Sequence, residues 1–96
     1  MEMDARFEWD PLKAEQNAKK HGVTFDEAST VFGDPLSASV HDFRHSATEH
    51  RYILVGRSEQ GRLLAVMHTE RIDRVRIISA RLATPRERRE YEEGSS

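Results

Sequence analysis

Three short apolar runs in the second half, joined by turns too short to hold a helix, set the limits on how this chain can fold. They are Arg51 to Gly56, Arg62 to Met67 and Arg74 to Ala80. Ser58-Glu59-Gln60-Gly61 makes a hairpin turn between the first two, with Gly61 available for positive φ. Ile72-Asp73 turns the chain into the third. Parallel neighbours would need a crossover of about a dozen residues or more, so these connections dictate an antiparallel meander. Alternation within the runs is imperfect. Leu64 and Val66 point opposite to Leu63, Ala65 and Met67, so both faces carry apolar groups and both need cover.

The first half supplies cover. Phe7-Glu8-Trp9 reads as a short strand. Asp10 then serves as a helix N-cap with Pro11 at the first helical position, where a missing N–H is harmless. This helix runs to about His21, with Lys19, Lys20 and His21 favourable in its last turn and Gly22 as the stop. Thr24-Phe25-Asp26-Glu27 is a capping box, and Phe25, Ala28, Val31 and Phe32 follow at helical spacing. Gly33-Asp34-Pro35 ends this second helix. Leu36 to Val40 is expected as a strand and His41 to Glu49 as a polar loop. Thr84-Pro85-Arg86-Glu87 opens a last helix of about two turns through Tyr91. The expectation is an α+β domain over residues 1–93: a strand and two helices, an antiparallel meander, then one helix, with 94–96 as a disordered tail. Helices this short need an apolar surface to pack on. Trp9, Phe25 and Phe32 are expected in the core.

Ninety-six residues make one domain. A chain of this size buries roughly 60–70% of its unfolded surface, enough for a core without staples. The absence of cysteine excludes disulfides and thiolate chemistry. No apolar run nears the ~20 residues of a membrane span. Met1-Glu2-Met3-Asp4 lacks the basic and apolar regions of a signal peptide, so a soluble cytoplasmic protein is expected. Net charge is −2, but it is unevenly spread: residues 1–43 carry −5, residues 44–81 carry +4 and residues 82–96 carry −1.

The basic stretch holds Thr69-Glu70-Arg71 and Arg76-Ile77-Ile78-Ser79-Ala80-Arg81. Arginine beside a core needs a partner, because burying an unpaired charge is costly. Its planar donor fork suits phosphate, which makes RNA the leading candidate ligand. Internal pairing with the acids of the first half is the alternative. Arg76 and Arg81 are five apart, so they share a face only if the strand ends or bulges near Ala80.

The chain resembles the BrnT family of bacterial type II toxins. The resemblance rests on an ordered series of segments from residue 7 to about 91. They are Phe7-Glu8-Trp9-Asp10, Lys20-His21-Gly22-Val23, Phe25 with Glu27-Ala28, Val31-Phe32 before Asp34-Pro35, and His45-Ser46. Glu49 with Arg51-Tyr52, Gly61-Arg62-Leu63-Leu64, Thr69-Glu70-Arg71 and Arg76 to Arg81 complete it. The stretch between Asp34 and His45 matches poorly, so His41 and Arg44 inherit nothing. The resemblance implies a RelE-like fold and a ribonuclease that stops translation. It also implies a BrnA-type antitoxin that neutralises the toxin and represses their shared operon, so operator DNA is met only through the antitoxin. Such pairs commonly assemble as dimers of heterodimers.

RNA cleavage without metal needs a base for the 2′-OH, an acid for the leaving 5′-oxygen, and cations to hold the phosphate. Arg51, Arg71, Arg76 and Arg81 lie at or near strand ends that a meander can align, with Lys20 and Arg62 as further phosphate contacts. An unperturbed histidine titrates near about 6.5, apt for proton transfer. The order of candidates for acid and base is His68, His45, then Glu49, with His50 and Glu70 behind them. No histidine pair has metal-site spacing on a helix, so neither metal nor cofactor is expected. A catalytically inactive module that only binds and helps repress with its antitoxin is the rival reading.

Overall fold

The computed structural model describes residues 6–45 and 49–94; the side chain of His45 is outside that description. The strands are β1 (Phe7–Glu8), β2 (Ala38–His41), β3 (Tyr52–Arg57), β4 (Leu63–Glu70) and β5 (Val75–Leu82). The helices are α1 (Pro11–His21), α2 (Phe25–Thr30) and α3 (Pro85–Gly94), with 3-10 turns at Val31–Gly33 and Phe43–His45. One five-stranded sheet has the order β1-β5-β4-β3-β2. β2 to β5 form an antiparallel meander, and β1 joins β5 in parallel, so the sheet is mixed.

Local chemistry sets the element ends. Asp10 caps α1, its carboxylate accepting from the N–H of Leu12, and Gly22 ends it at φ 69°. Gly61 closes the β3–β4 hairpin at φ 84°. Around α3 the capping box is reciprocal: the Glu87 N–H donates to Thr84 Oγ1 and the Thr84 N–H to Glu87 Oε1. At α2 only half of the box forms. The Glu27 N–H donates to Thr24 Oγ1, but the Glu27 carboxylate turns to Arg62 and Ser58 instead. A buried carboxylate needs a cation more than the cap needs a second bond.

Four expectations are corrected. The second helix gives way to a 3-10 turn at Val31–Gly33 rather than continuing, β2 begins at Ala38 rather than Leu36, and α3 runs a turn beyond Tyr91. Gly94 is the last residue of α3 rather than part of a tail, and Ser95 and Ser96 lie outside the described residues. The i,i+4 pairs Arg86–Glu90 and Arg88–Glu92 support that last turn.

β4 is central, and most of it is buried. One face packs under α1 and α2 through Phe7, Val23, Phe25, Ala28, Val31, Leu54, Leu64, Val66, Ile77 and Ala80. Trp9 packs edge-on to Phe25 with centroids 5.8 Å apart, and Phe32 also packs against this core. The opposite face is crossed by α3. The Tyr91 hydroxyl donates to Asp34 Oδ2 at 2.7 Å, and Arg81 grips Glu87 with two bonds of 2.8 and 3.0 Å. Each partner raises or lowers the other as expected: the Glu87 bond holds the Arg81 guanidinium above its usual range, and Arg81 holds the Glu87 carboxyl below its own.

β5 has a partner on its outer edge only at its start, where β1 is two residues long. Farther along, Asn17 of α1 takes the missing strand's place. Its amide nitrogen donates to the carbonyls of Ala80 (2.8 Å) and Val23 (2.9 Å), and its oxygen accepts from the Ala80 N–H (3.1 Å).

β5 also carries a bulge. His68 faces Ile77 while Met67 faces Ser79, so Ile78 is an inserted residue. Ile77 and Ala80 are therefore both in the core although three apart. The insertion flips the alternation once, and Arg76 and Arg81 end on the same face, away from α1 and α2.

Candidate functional site

Five charged side chains meet at one end of the sheet, where β3 begins, β4 ends and β5 begins. Glu8 reaches there because β1 sets it opposite Arg76. The Nε of Arg76 donates to Glu8 Oε2 at 3.1 Å, and the Nε of Arg71 lies 3.9 Å from the same oxygen. Arg71 Nη2 is also 4.0 Å from Glu49 Oε1, and Glu49 Oε2 is 3.6 Å from Arg51 Nη2. The result is a chain of alternating charge, Arg76–Glu8–Arg71–Glu49–Arg51, with three cations to two anions. All five side chains are 29–48% exposed. Pairs this open are weak, worth about 0–1 kcal/mol each, and can exchange partners readily.

The structure thus brings Arg51, Arg71, Arg76 and Glu49 side by side, and adds Glu8 to them. Nothing local marks Glu8 as a partner of Arg76, since 68 residues separate them. The loop before β3 is pinned by the Thr69 hydroxyl, which donates to the His50 carbonyl at 2.7 Å. Beside it, His41 Nε2 and His50 Nδ1 share a hydrogen bond of 3.1 Å, a pairing the sequence did not suggest.

Other expected members are elsewhere. His68 is 2% exposed, its ring edge-on to Phe32 and stacked on Tyr52. Burial pushes its pKa below the ordinary value, outweighing the Val66 carbonyl and the charge of Glu70. A ring sealed against the core offers almost no surface to a ligand. Arg62 is occupied by the buried Glu27, where its Nε donates to Oε2 at 2.9 Å, and by the Gly22 carbonyl at 2.9 Å. That bond, with help from Ser58, holds the Glu27 carboxyl below its usual range. Arg62 precedes β4 and Arg71 follows it, so the strand sets them roughly 30 Å apart at about 3.4 Å per residue. Lys20, exposed in the last turn of α1 beside Gly22, shares that far end. Neither Lys20 nor Arg62 joins the cluster. Arg81 is committed to Glu87 yet lies on the cluster's face of the sheet. His45 closes a 3-10 turn, and its side chain lies outside the described residues.

Next to the cluster, a cleft of about 370 Å³ opens on the same face. Ile53, Met67, Ile78 and Ser79 form its floor, and Arg44, Arg51, Arg81 and the buried Asp42 line the rest of it. Among the described residues no group of three or more histidines and carboxylates is placed to hold a metal ion. No helix among them is long and apolar enough to cross a membrane.

A family model described as "Ribonuclease toxin, BrnT, of type II toxin-antitoxin system" matches residues 9–87. The crystal structure of the Brucella abortus ribonuclease toxin BrnT is similar in fold, with a TM-score of 0.57 at 23% sequence identity. The likeness covers 79% of this chain and 92% of that one. No curated protein matches. With the family match extending over most of its length, the chain belongs to the BrnT family of ribonuclease toxins of type II toxin–antitoxin systems.

Proposed function

We propose that this chain is a metal-independent endoribonuclease that arrests translation, and that the end-of-sheet cluster is its active site. The observation that carries the reading is the set of three half-exposed arginines held around two carboxylates. The Nε of Arg76 donates to Glu8, and the terminal nitrogens of its guanidinium supply the fork that fits a phosphate in this reading. Arg71 and Arg51 face the same anion and stabilise the charge that builds on the phosphoryl oxygens.

Cleavage then runs through the neighbouring 2′-hydroxyl. A carboxylate takes its proton, the 2′-oxygen attacks phosphorus, and the 5′-oxygen leaves with a proton supplied by an acid. The products are a 2′,3′-cyclic phosphate and a 5′-hydroxyl. Glu49, lying between Arg51 and Arg71, is the base in this scheme, and His45 is retained as the acid. His68 is withdrawn from it. Glu8 is a positioning residue that fixes the angle of two guanidinium groups. We also carry the RelE-like relationship as part of this reading.

A type II system supplies a protein antitoxin. We assign it to the BrnA type, acting by covering the arginine cluster. A cluster that already accepts carboxylates from its own chain suits an acidic antitoxin segment too, and this favours the inactive binding module as the second reading.

One experiment separates them. The purified chain is incubated with total RNA in EDTA, with and without its antitoxin, beside Arg76→Ala. The active reading requires cleavage in chelator, abolished by the antitoxin and lowered about 10²–10³-fold by the substitution with folding intact. Intact RNA in every sample, including a translating extract, with antitoxin binding retained, would leave the binding module.

A further inference from the structure

The cleft beside the cluster has a composition that the ion-pair chain does not explain. Ile53, Met67 and Ile78 leave half-buried apolar surface on the sheet face that α3 crosses, and no α3 residue lines this cleft. Ile78 is there only because the bulge inserts it. Around this floor stand three arginines, Arg44, Arg51 and Arg81, against one acid, the buried Asp42, so the surroundings carry a surplus of positive charge. Apolar surface inside a cationic rim matches a nucleotide, whose base is flat and apolar on its faces and whose phosphates are anionic. A volume of about 370 Å³ falls at the small end of the ~300–1,000 Å³ that ligand sites occupy.

Continuity fixes which nucleotide. Arg51 lines the cleft and is also the last cation of the Arg76–Glu8–Arg71–Glu49–Arg51 chain. A phosphate bound in the cluster therefore has its neighbouring nucleotide beside the cleft. The geometry points to a nucleobase subsite: the cleft takes an unstacked base of single-stranded RNA adjoining the bond to be cut. The inference rests on the ribonuclease reading above. In this subsite the base lies over Met67 and Ile78, and the Ser79 hydroxyl meets its edge as donor or acceptor. The Arg44 guanidinium covers it from the rim or binds the next phosphate. Arg81, fixed by Glu87, keeps its place whether or not the cleft is filled.

The test uses the full chain with its isoleucine and methionine methyls labelled for NMR. It is titrated separately with each 5′-mononucleotide, with ribose 5-phosphate and with inorganic phosphate. Ring currents from a seated base shift the Met67 and Ile78 methyls upfield and saturably with at least one mononucleotide, while neither base-free probe does so. In RNA cleavage, Met67→Gln and Ile78→Asp raise KM by roughly 10–100-fold with kcat little changed, the worth of one stacked base. Met67→Gln keeps the side chain's length and serves if Ile78→Asp disturbs the bulge. Methyls that respond equally to ribose 5-phosphate, or to nothing, while the wild-type chain cleaves RNA, overturn the subsite and leave the ribonuclease standing. Methyls that respond to the antitoxin but to no nucleotide also overturn it, because the cleft is then the partner's seat. Failure of the ribonuclease reading shows separately, as wild-type chain that leaves RNA whole.

Discussion

His68 shows how one residue type can serve two opposite purposes. Its residue type suits proton transfer, yet this ring is sealed between Phe32 and Tyr52 and burial pushes its pKa down. Its folded pKa lies below its unfolded one, so the native state binds fewer protons. The stability it allows is complete above the ordinary value of about 6.5 and is lost as pH falls through and below it, by at most about 1.4 kcal/mol per pH unit. Urea melts at pH 7.5 and 5.5 should show wild type losing stability, and His68→Phe losing less over the same interval. Cleavage per folded molecule at neutral pH should be the same in both. A variant that melts alike but has lost cleavage would return His68 to the site. The surface of the sequence could not separate these roles, because a strand position next to a cluster of arginines reads alike from either face.

At the scale of elements, the turns and caps were legible because each is decided within a few residues. Asp10, Gly22, Gly61 and the Thr84–Glu87 box act as their types dictate. The joints between elements were not. Asn17 looks like one more polar residue on a short helix, but it completes the open edge of β5 with three hydrogen bonds. Asn17→Leu would leave the Ala80 N–H and two carbonyls buried without partners, at about 1–3 kcal/mol apiece. The expected loss is about 3 kcal/mol or more in urea denaturation, against little change for a substitution at the exposed Gln16. The bulge was legible only as a condition: Arg76 and Arg81 could share a face if the strand were irregular. It falls at Ile78, since Ile77 and Ala80 must both enter the core.

Over the whole molecule, the division of charge along the chain is undone in space. Glu8 and Glu27, from the acidic first half, sit against Arg71, Arg76 and Arg62 from the basic second half. The arginine set of the candidate site was therefore largely readable, while its carboxylate partners were not, because a contact across 68 residues leaves no mark on either neighbourhood. The surplus positive charge of the cluster makes RNA binding salt-dependent. Engagement of one phosphate by the cluster contributes about −0.7 to the slope of log K against log salt, and Arg76→Ala should flatten the slope toward zero by up to that amount in a filter-binding series. An unchanged slope would mean that Arg76 touches no phosphate. The parallel pairing of β1 with β5 has a consequence in time as well. Glu8 precedes the meander and Arg76 lies at the start of its last strand, so the two cannot meet until residues 9–75 between them have been made. Closing so long a loop comes late in folding. A nascent chain that has not yet reached residue 76 lacks the Arg76–Glu8 contact, and the full anion-binding geometry waits on the synthesis of β5.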